Sequence, residues 1–159
     1  MADIKNKYAT KADFTITLAS LANNGARQST EIDNSSNLYL DALVQVKIKS
    51  PASSTASTGV VNIYAFASAD DQTTRTENAG ASDAGITLTS PTNARLIGVL
   101  NVVANATTYY GGPFSVAAAF GGVMPKYWGI IVENKTGGTL DSTGGNHTIS
   151  YQGVTAQTV

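Results

Sequence analysis

The sequence predicts an all-β protein: a single antiparallel β-sandwich of the jelly-roll type, with about eight strands and an extended N-terminal arm. β-Branched and aromatic residues are concentrated in short segments that alternate apolar and polar positions. Long polar connections separate these segments, which favours Greek-key wiring over a simple meander. Because 159 residues suit one domain, we expect an arm at 1–12 followed by a sandwich at 13–159.

The clearest predicted strand runs from Leu38 to Lys49. Apolar side chains occupy its even positions through Ile48, and its odd positions include Gln45 and Lys47. A period of two indicates one buried face and one solvated face. Ser50-Pro51 ends the strand, because proline has no N–H to donate to a sheet and restricts the residue before it.

Shorter segments with the same period complete the predicted sandwich, and they lie at 14–18, 27–32, 61–68, 95–102, 114–120, 128–134 and 147–154. Both faces of 95–102 are partly apolar, which predicts a strand covered by the opposite sheet and by an arm or a neighbouring subunit. Trp128 is in phase with Ile130 and Val132 and is therefore expected in the core. The polar segment 69–84 is predicted to be an exposed loop outside the sandwich.

Composition excludes several classes of partner. Charged residues make up 13% of the chain and the net charge is −1, so no clustered positive charge suggests nucleic acid or an anionic membrane. The absence of cysteine excludes a disulfide scaffold and a thiolate metal site. No apolar run is long enough for a signal peptide or a membrane helix, so we expect a soluble product without Sec-type export.

The sequence offers little catalytic equipment. His147 is the single histidine, so zinc of the usual type is excluded and any serine-histidine-acid device would have to use it. Calcium could be considered at Asp70-Asp71 with Glu77 or at Asp141 with Asn146, but neither has the spacing of a calcium loop. No pair of carboxylates is singled out for glycoside hydrolysis. We therefore predict no catalytic residue, no cofactor and no metal site.

Eight residues are candidates for an interface. The N-terminal arm is basic and lacks a periodic pattern, which predicts either a segment that becomes ordered on a neighbour or a dispensable tail. Two tyrosines lie on the polar register of their strands and two precede a Gly-Gly-Pro turn, so they serve either an interface or ordinary packing. The candidates are Ile4, Lys5, Lys7, Tyr8, Tyr39, Tyr64, Tyr109 and Tyr110.

Four segments together resemble small structural proteins of tailed bacteriophage virions, namely 38–49, Leu88–Val99, Pro113–Pro125 and Lys126–Asn134. The resemblance implies a jelly-roll or related sandwich that decorates or cements the head, often as a homotrimer; other such proteins sit in the tail or its fibres. It also implies partners that are copies of the chain itself and the major capsid protein or another virion protein. The expected location is the virion, assembled in the host cytoplasm.

Three functions follow as hypotheses. The first is a non-enzymatic decoration or cement protein that braces the head shell, which suits a chain whose few charges lower the desolvation cost of burying surface. The second is a tail or fibre component that binds host glycan through exposed tyrosines. The third is an enzyme, such as a glycan hydrolase, that works through carboxylates and His147.

Overall fold

The computed structural model describes residues 3–159, which form two antiparallel sheets packed face to face. The strands are β1 (Ile4–Tyr8), β2 (Ala12–Asp13), β3 (Ala26–Gln28), β4 (Ile32–Asp33), β5 (Asp41–Lys49), β6 (Val60–Ser68), β7 (Ala84–Ile86), β8 (Arg95–Asn101), β9 (Thr108–Ser115), β10 (Tyr127–Lys135) and β11 (Thr148–Thr158). One short helix, α1 (Val116–Ala119), follows β9, and single 3₁₀ turns lie at Thr76–Asn78 and Gly144–Asn146. No helix in the described range is long and apolar enough to span a membrane.

The strand order defines a jelly roll. The first sheet has the order β1–β11–β5–β9, with β2 also paired to β11. The second sheet has the order β7–β3–β10–β6–β8, with β4 also paired to β10. The chain therefore passes between the sheets at most of its long connections and places its first and last strands side by side, which is the wiring of a double-sheet jelly roll. The predicted fold class is confirmed.

The core lies between the two sheets. Alternate residues of β5 are fully buried, namely Ala42, Val44, Val46 and Ile48. They face Val61 and Ile63 of β6 and the inward side chains of β10 in one continuous cluster. Trp128 is fully buried, as the sequence predicts, and its ring lies edge to face against Phe14 and Tyr151 at centroid distances of 5.4 and 5.3 Å.

Three predicted strands have different limits in the structure. The strand predicted from Leu38 begins at Asp41, because the Asn34 side chain bonds both the backbone N–H and the carbonyl of Tyr39 and holds a turn there. Residues 14–18 bury Phe14 and Leu18 but form no strand. The strand predicted at 114–120 is wrong over most of its length: β9 runs from Thr108 to Ser115, and the Ser115 hydroxyl accepts from the Ala118 N–H and caps α1 in the residues that follow.

Most residues of 69–84 are exposed and lie outside the sandwich, as the sequence predicts, but the segment is also attached to the second sheet. Residues 69–94, here called the covering segment, include edge strand β7 and contribute to a second apolar cluster on the outer face of that sheet; its buried members are Ala26, Tyr64, Phe66, Ala79, Ala94 and Ile131. Ion pairs Arg75–Glu31 and Arg27–Asp83 hold it down, with N···O distances of 2.6 and 2.5 Å. The second sheet is thus covered on both sides over part of its width.

Candidate interaction surface

The N-terminal candidates lie on an edge strand. β1 pairs antiparallel with β11 of the same chain, from Ile4 opposite Thr158 to Tyr8 opposite Val154. This differs from the prediction of a segment that becomes ordered on a neighbour, because the partner strand belongs to the chain itself. Every side chain of β1 is nevertheless exposed, including Lys5 and Lys7. Residues 1 and 2 of the predicted arm lie outside the described residues.

The far end of β1 belongs to a two-stranded ribbon. The pairing of β11 with β5 ends at Val154 opposite Asp41, whereas its pairing with β1 continues to Thr158. Residues 4–7 and 155–158 therefore form a ribbon with no third strand, here called the terminal ribbon. Two-stranded ribbons are only marginally stable in water. A partner surface would stabilise this ribbon.

Three of the four other candidate tyrosines are packed rather than exposed. Tyr39 packs against the core, with its ring against Gly153. Tyr64 is buried, because the covering segment lies on the face that the sequence predicts as solvated, and its hydroxyl donates to Glu133. The hydroxyl of Tyr109 accepts from the backbone N–H groups of Val103 and Ala104 at 3.1 and 2.8 Å.

Tyr110 is the exception, with 72% of its surface exposed. It lies on β9, at the opposite edge of the first sheet from Tyr8. The structure therefore brings no two of the exposed candidate tyrosines together into one platform. This arrangement removes the main geometric support for a shared aromatic sugar site.

Exposed aliphatic side chains form a surface that the candidate residues do not include. Leu96 and Val99 of edge strand β8 are 54% and 45% exposed, and Val103 just beyond the strand is also exposed. The sequence predicts β8 to be covered on both sides, but the structure covers only the inner side, where Leu100 is buried. The apolar character of both faces of 95–102 was the signal for this surface.

A second exposed apolar group lies at one end of the sandwich. Leu38 and Leu40 precede β5, and Val123 lies in the loop between α1 and β10; all three are exposed. The sequence assigns Leu38 and Leu40 to the buried face of a strand. They are exposed because the turn fixed by Asn34 ends before regular pairing begins at Asp41.

The carboxylates considered as calcium ligands serve local structure. Asp141 accepts from the Thr143 N–H and from the Asn146 side-chain amide, which together lower its pKa to about 2. Because the Asn146 amide nitrogen faces Asp141, the pair does not present two oxygens to one cation. Asp70 accepts from Ser68 and Thr74, whereas Asp71 pairs with Lys126. Among residues 3–159 no group of acidic, histidine or cysteine side chains is arranged to hold a metal.

The imidazole of His147 contacts two backbone groups. Its Nδ1 accepts from the Lys49 N–H at 3.4 Å and its Nε2 contacts the Asp141 carbonyl at 2.9 Å. These contacts fix the connection between β10 and β11. No hydroxyl or carboxylate side chain contacts the imidazole in the part of the chain that the structure describes, so the geometry of a serine-histidine-acid device is not assembled there.

Comparisons with known proteins add two distant structures. No protein-family description matches the chain, and no curated protein is detected as a relative. The chain is similar to a solved structure of Desmodium yellow mottle tymovirus, with 14% identity and a TM-score of 0.32 over 99% of this chain and 88% of that one. It is also similar to one of tomato aspermy virus, with 12% identity and a TM-score of 0.28 over 99% and 78%. Similarities at these TM-scores carry no argument about function.

Proposed function

We propose that this protein is a non-enzymatic structural protein of a bacteriophage virion, a decoration or cement protein that binds the head shell and stabilises it. The observation that carries the proposal is the placement of exposed apolar side chains on a strand edge and on one end of the sandwich, as in Leu96, Val99 and Leu40. Exposed apolar surface of this kind is typical of interaction sites between proteins. The resemblance of four segments to virion structural proteins supplies the kind of partner.

The electrostatics agree with such a role. The chain has few charges, and several of its acidic groups are paired within the chain, as in Glu31–Arg75 and Glu133–Lys135. Surfaces that bury few unpaired charges associate at a low desolvation cost. Many weak contacts repeated over a shell give firm attachment without high affinity for each copy.

The proposed partners are copies of this chain and the major capsid protein or another virion protein. The resemblance implies a homotrimer in the virion, assembled in the host cytoplasm. The terminal ribbon is proposed to contact the shell, because all side chains of β1 are exposed while its backbone is held by β11. This assignment gives the predicted arm, residues 1–12, a binding role distinct from the sandwich at 13–159.

Deletion of residues 1–11 tests the proposal. We expect the shortened protein to bind purified particles less well in co-sedimentation and to retain a cooperative thermal transition, because β1 buries no side chain. The double variant Lys5→Ser/Lys7→Ser narrows the effect to the exposed lysines, and Lys11→Ser is the matched control, since Lys11 pairs with Asp13 on the sandwich at 2.8 Å. Unchanged attachment of the shortened protein would rule out a role for the ribbon. Failure of the intact protein to bind particles would overturn the proposed function.

A further inference from the structure

Six strands border the two sheets in the described residues. β1, β2 and β9 border the first sheet, and β7, β4 and β8 border the second; β2 and β4 have only two residues each. Edge strands expose unpaired backbone groups, and proteins protect them with charges, proline, bulges or short length. β7 has only three residues, β9 contains Gly112-Pro113 opposite an irregular part of β5, and β1 carries Lys5 and Lys7.

β8 has seven residues and no charge or proline after its first residue, and its one protective feature is a bulge at residue 97. From Leu96 to Asn101 it contains only apolar residues, one glycine and a terminal asparagine. Its backbone forms no hydrogen bond outside the ladder with β6 among the described residues. An irregularity in that ladder puts Leu96 opposite Tyr64 and Val99 opposite Asn62, so both exposed side chains lie on the outer face.

We propose that β8 is an interface between two copies of this chain, paired edge to edge and antiparallel about a two-fold axis. In the register that matches the faces of the two strands, Leu96 lies opposite Val99 of the second copy, and the symmetry repeats the contact. The four aliphatic side chains then form one apolar cluster on the outer face. Arg95 lies opposite Leu100 of the second copy, so no like charges meet.

The same pairing does not suit β1. Residues of β1 alternate between faces, so each antiparallel self-pairing that matches the faces and aligns more than one position of the strand places Lys5 opposite Lys7, or one of these lysines opposite itself. Like charges directly opposite each other in a sheet are destabilising. The proline of β9 lacks the donor that a ladder needs. A second copy therefore fits β8 and is disfavoured at the other long edges.

The contact is expected to be weak and dependent on concentration. A stable protein interface buries about 1,600 Å² in total, and a single strand edge supplies only part of that area. On a particle, where neighbouring copies are held close together, such a contact would still be occupied. The inference concerns self-association and does not rest on the proposed binding to a virion.

Sedimentation velocity of the full chain over a wide range of concentration measures the pairing. We expect the mass to rise from that of one 16.4 kDa chain to that of two. Val99→Lys should weaken the association at least about tenfold, because it places a charge against Leu96 of the second copy. Ser142→Lys is the control, because this side chain is exposed in the connection between β10 and β11 and belongs to neither exposed apolar surface. Thermal melting of each variant checks that the fold is retained.

The double variant Leu96→Glu/Val99→Lys tests the register. Each new carboxylate would lie opposite a new ammonium group of the second copy, so association should recover relative to either single variant. If the wild type sediments with the mass of six chains and Val99→Lys with the mass of three, two trimers are joined through β8, and this result would also support the pairing. A wild-type protein that stays monomeric, a trimer unaffected by Val99→Lys, or a double variant weaker than both singles would overturn the inference. Attachment of a monomer to particles would leave the proposed function standing.

Discussion

Glu77 holds much of the covering segment in place through a single carboxylate. Its oxygens accept from the backbone N–H and the hydroxyl of Thr89, from the hydroxyl of Thr92 at 2.8 Å and from the backbone N–H of Asn93. Burial opposes ionisation of this side chain, but these hydrogen bonds outweigh it and lower the pKa to about 2. Glu77 also has a φ of +61°, a left-handed conformation that costs a non-glycine residue about 1 kcal/mol or more. The carboxylate contacts keep it there.

We expect Glu77→Gln to destabilise the protein by about 1 to 2 kcal/mol at pH 7, since an amide replaces an acceptor of charge-assisted hydrogen bonds. The ordinary pKa of glutamate is about 4.3, and folding lowers it. The stabilisation is therefore fully present above that pH and is lost as the pH falls through the folded value of about 2. Urea unfolding of both proteins at several pH values between 7 and 2 should show their difference shrinking as the pH falls.

Asp13→Asn is the control for this experiment. Asp13 is an exposed carboxylate whose ion pair with Lys11 has both side chains more than half exposed. Exposed pairs contribute about 0 to 1 kcal/mol, so little change in the free energy of unfolding is expected. An equal loss of stability in Glu77→Gln at pH 7 and at pH 2 would show that the hydrogen bonds of the ionised carboxylate are not the cause.

Among elements, the covering segment depends on the short strand β3. The side-chain amide of Gln28 donates to the carbonyls of Gly80 and Ser82 at 2.9 and 2.7 Å and accepts from the Gly80 N–H at 2.9 Å. Gln28 itself is buried. One side chain thus makes three hydrogen bonds to the backbone of an irregular segment, and these bonds attach the segment to β3.

Gln28→Ala should release the covering segment without unfolding the sandwich. Each hydrogen bond lost removes about 0.5 to 1.5 kcal/mol, and the cost falls on contacts made by the segment. Hydrogen exchange should therefore speed up in residues 69–94 and stay slow in β6 and β10. Gln45→Ala is the control, because Gln45 is exposed on β5. Faster exchange throughout β10 would indicate that the segment and the sheet unfold together.

Sequence patterns predict those elements whose two faces differ in polarity. β5 alternates as expected from Ala42 to Ile48, and β10 lies close to its predicted limits. β11 begins one residue after its predicted start but continues four residues beyond its predicted end at Val154. The burial of Tyr64 could not be predicted, because the segment that covers it is polar and is held by side-chain hydrogen bonds to distant backbone groups. The alternating pattern also placed the start of β5 at Leu38, three residues too early, because the pattern gives no information about the turn that Asn34 closes.

For the whole molecule, the strand order pairs the first strand with the last and leaves β1, β8 and β9 as the longer sheet edges. Composition and the lack of chemical motifs predicted a structural sandwich, and the apolar character of both faces of 95–102 pointed to the exposed side of β8. Tyr39 and Tyr64 were chosen as candidates by alternation, and both are packed, because alternation identifies a face of a strand and not what covers that face. The arm was expected to lack a partner within the chain. The residue pattern of β1 does not show that it pairs with β11, because such a long-range contact leaves no signal in either segment alone.

The central position of β11 predicts that residues 148–154 are essential to folding. β11 lies between β5 on one side and both β1 and β2 on the other, and it buries Ile149 and Tyr151 in the core. Burial of each such side chain contributes about 1.5 to 3 kcal/mol, against a total stability of about 5 to 15 kcal/mol for a domain. Loss of the whole strand would also leave the backbone of β5 unpaired on that side and expose the core residues that β11 covers.

Two truncations separate the strand from the terminal ribbon. Removal of residues 155–159 should leave a cooperative thermal transition within a few degrees of the wild type, because these residues pair only with β1 and are mostly exposed. Removal of 148–159 should abolish the transition and the β signal in far-ultraviolet circular dichroism. If the longer truncation still melted cooperatively, the second sheet with its covering segment would be stable without the first, and β11 would not be the strand that closes the fold.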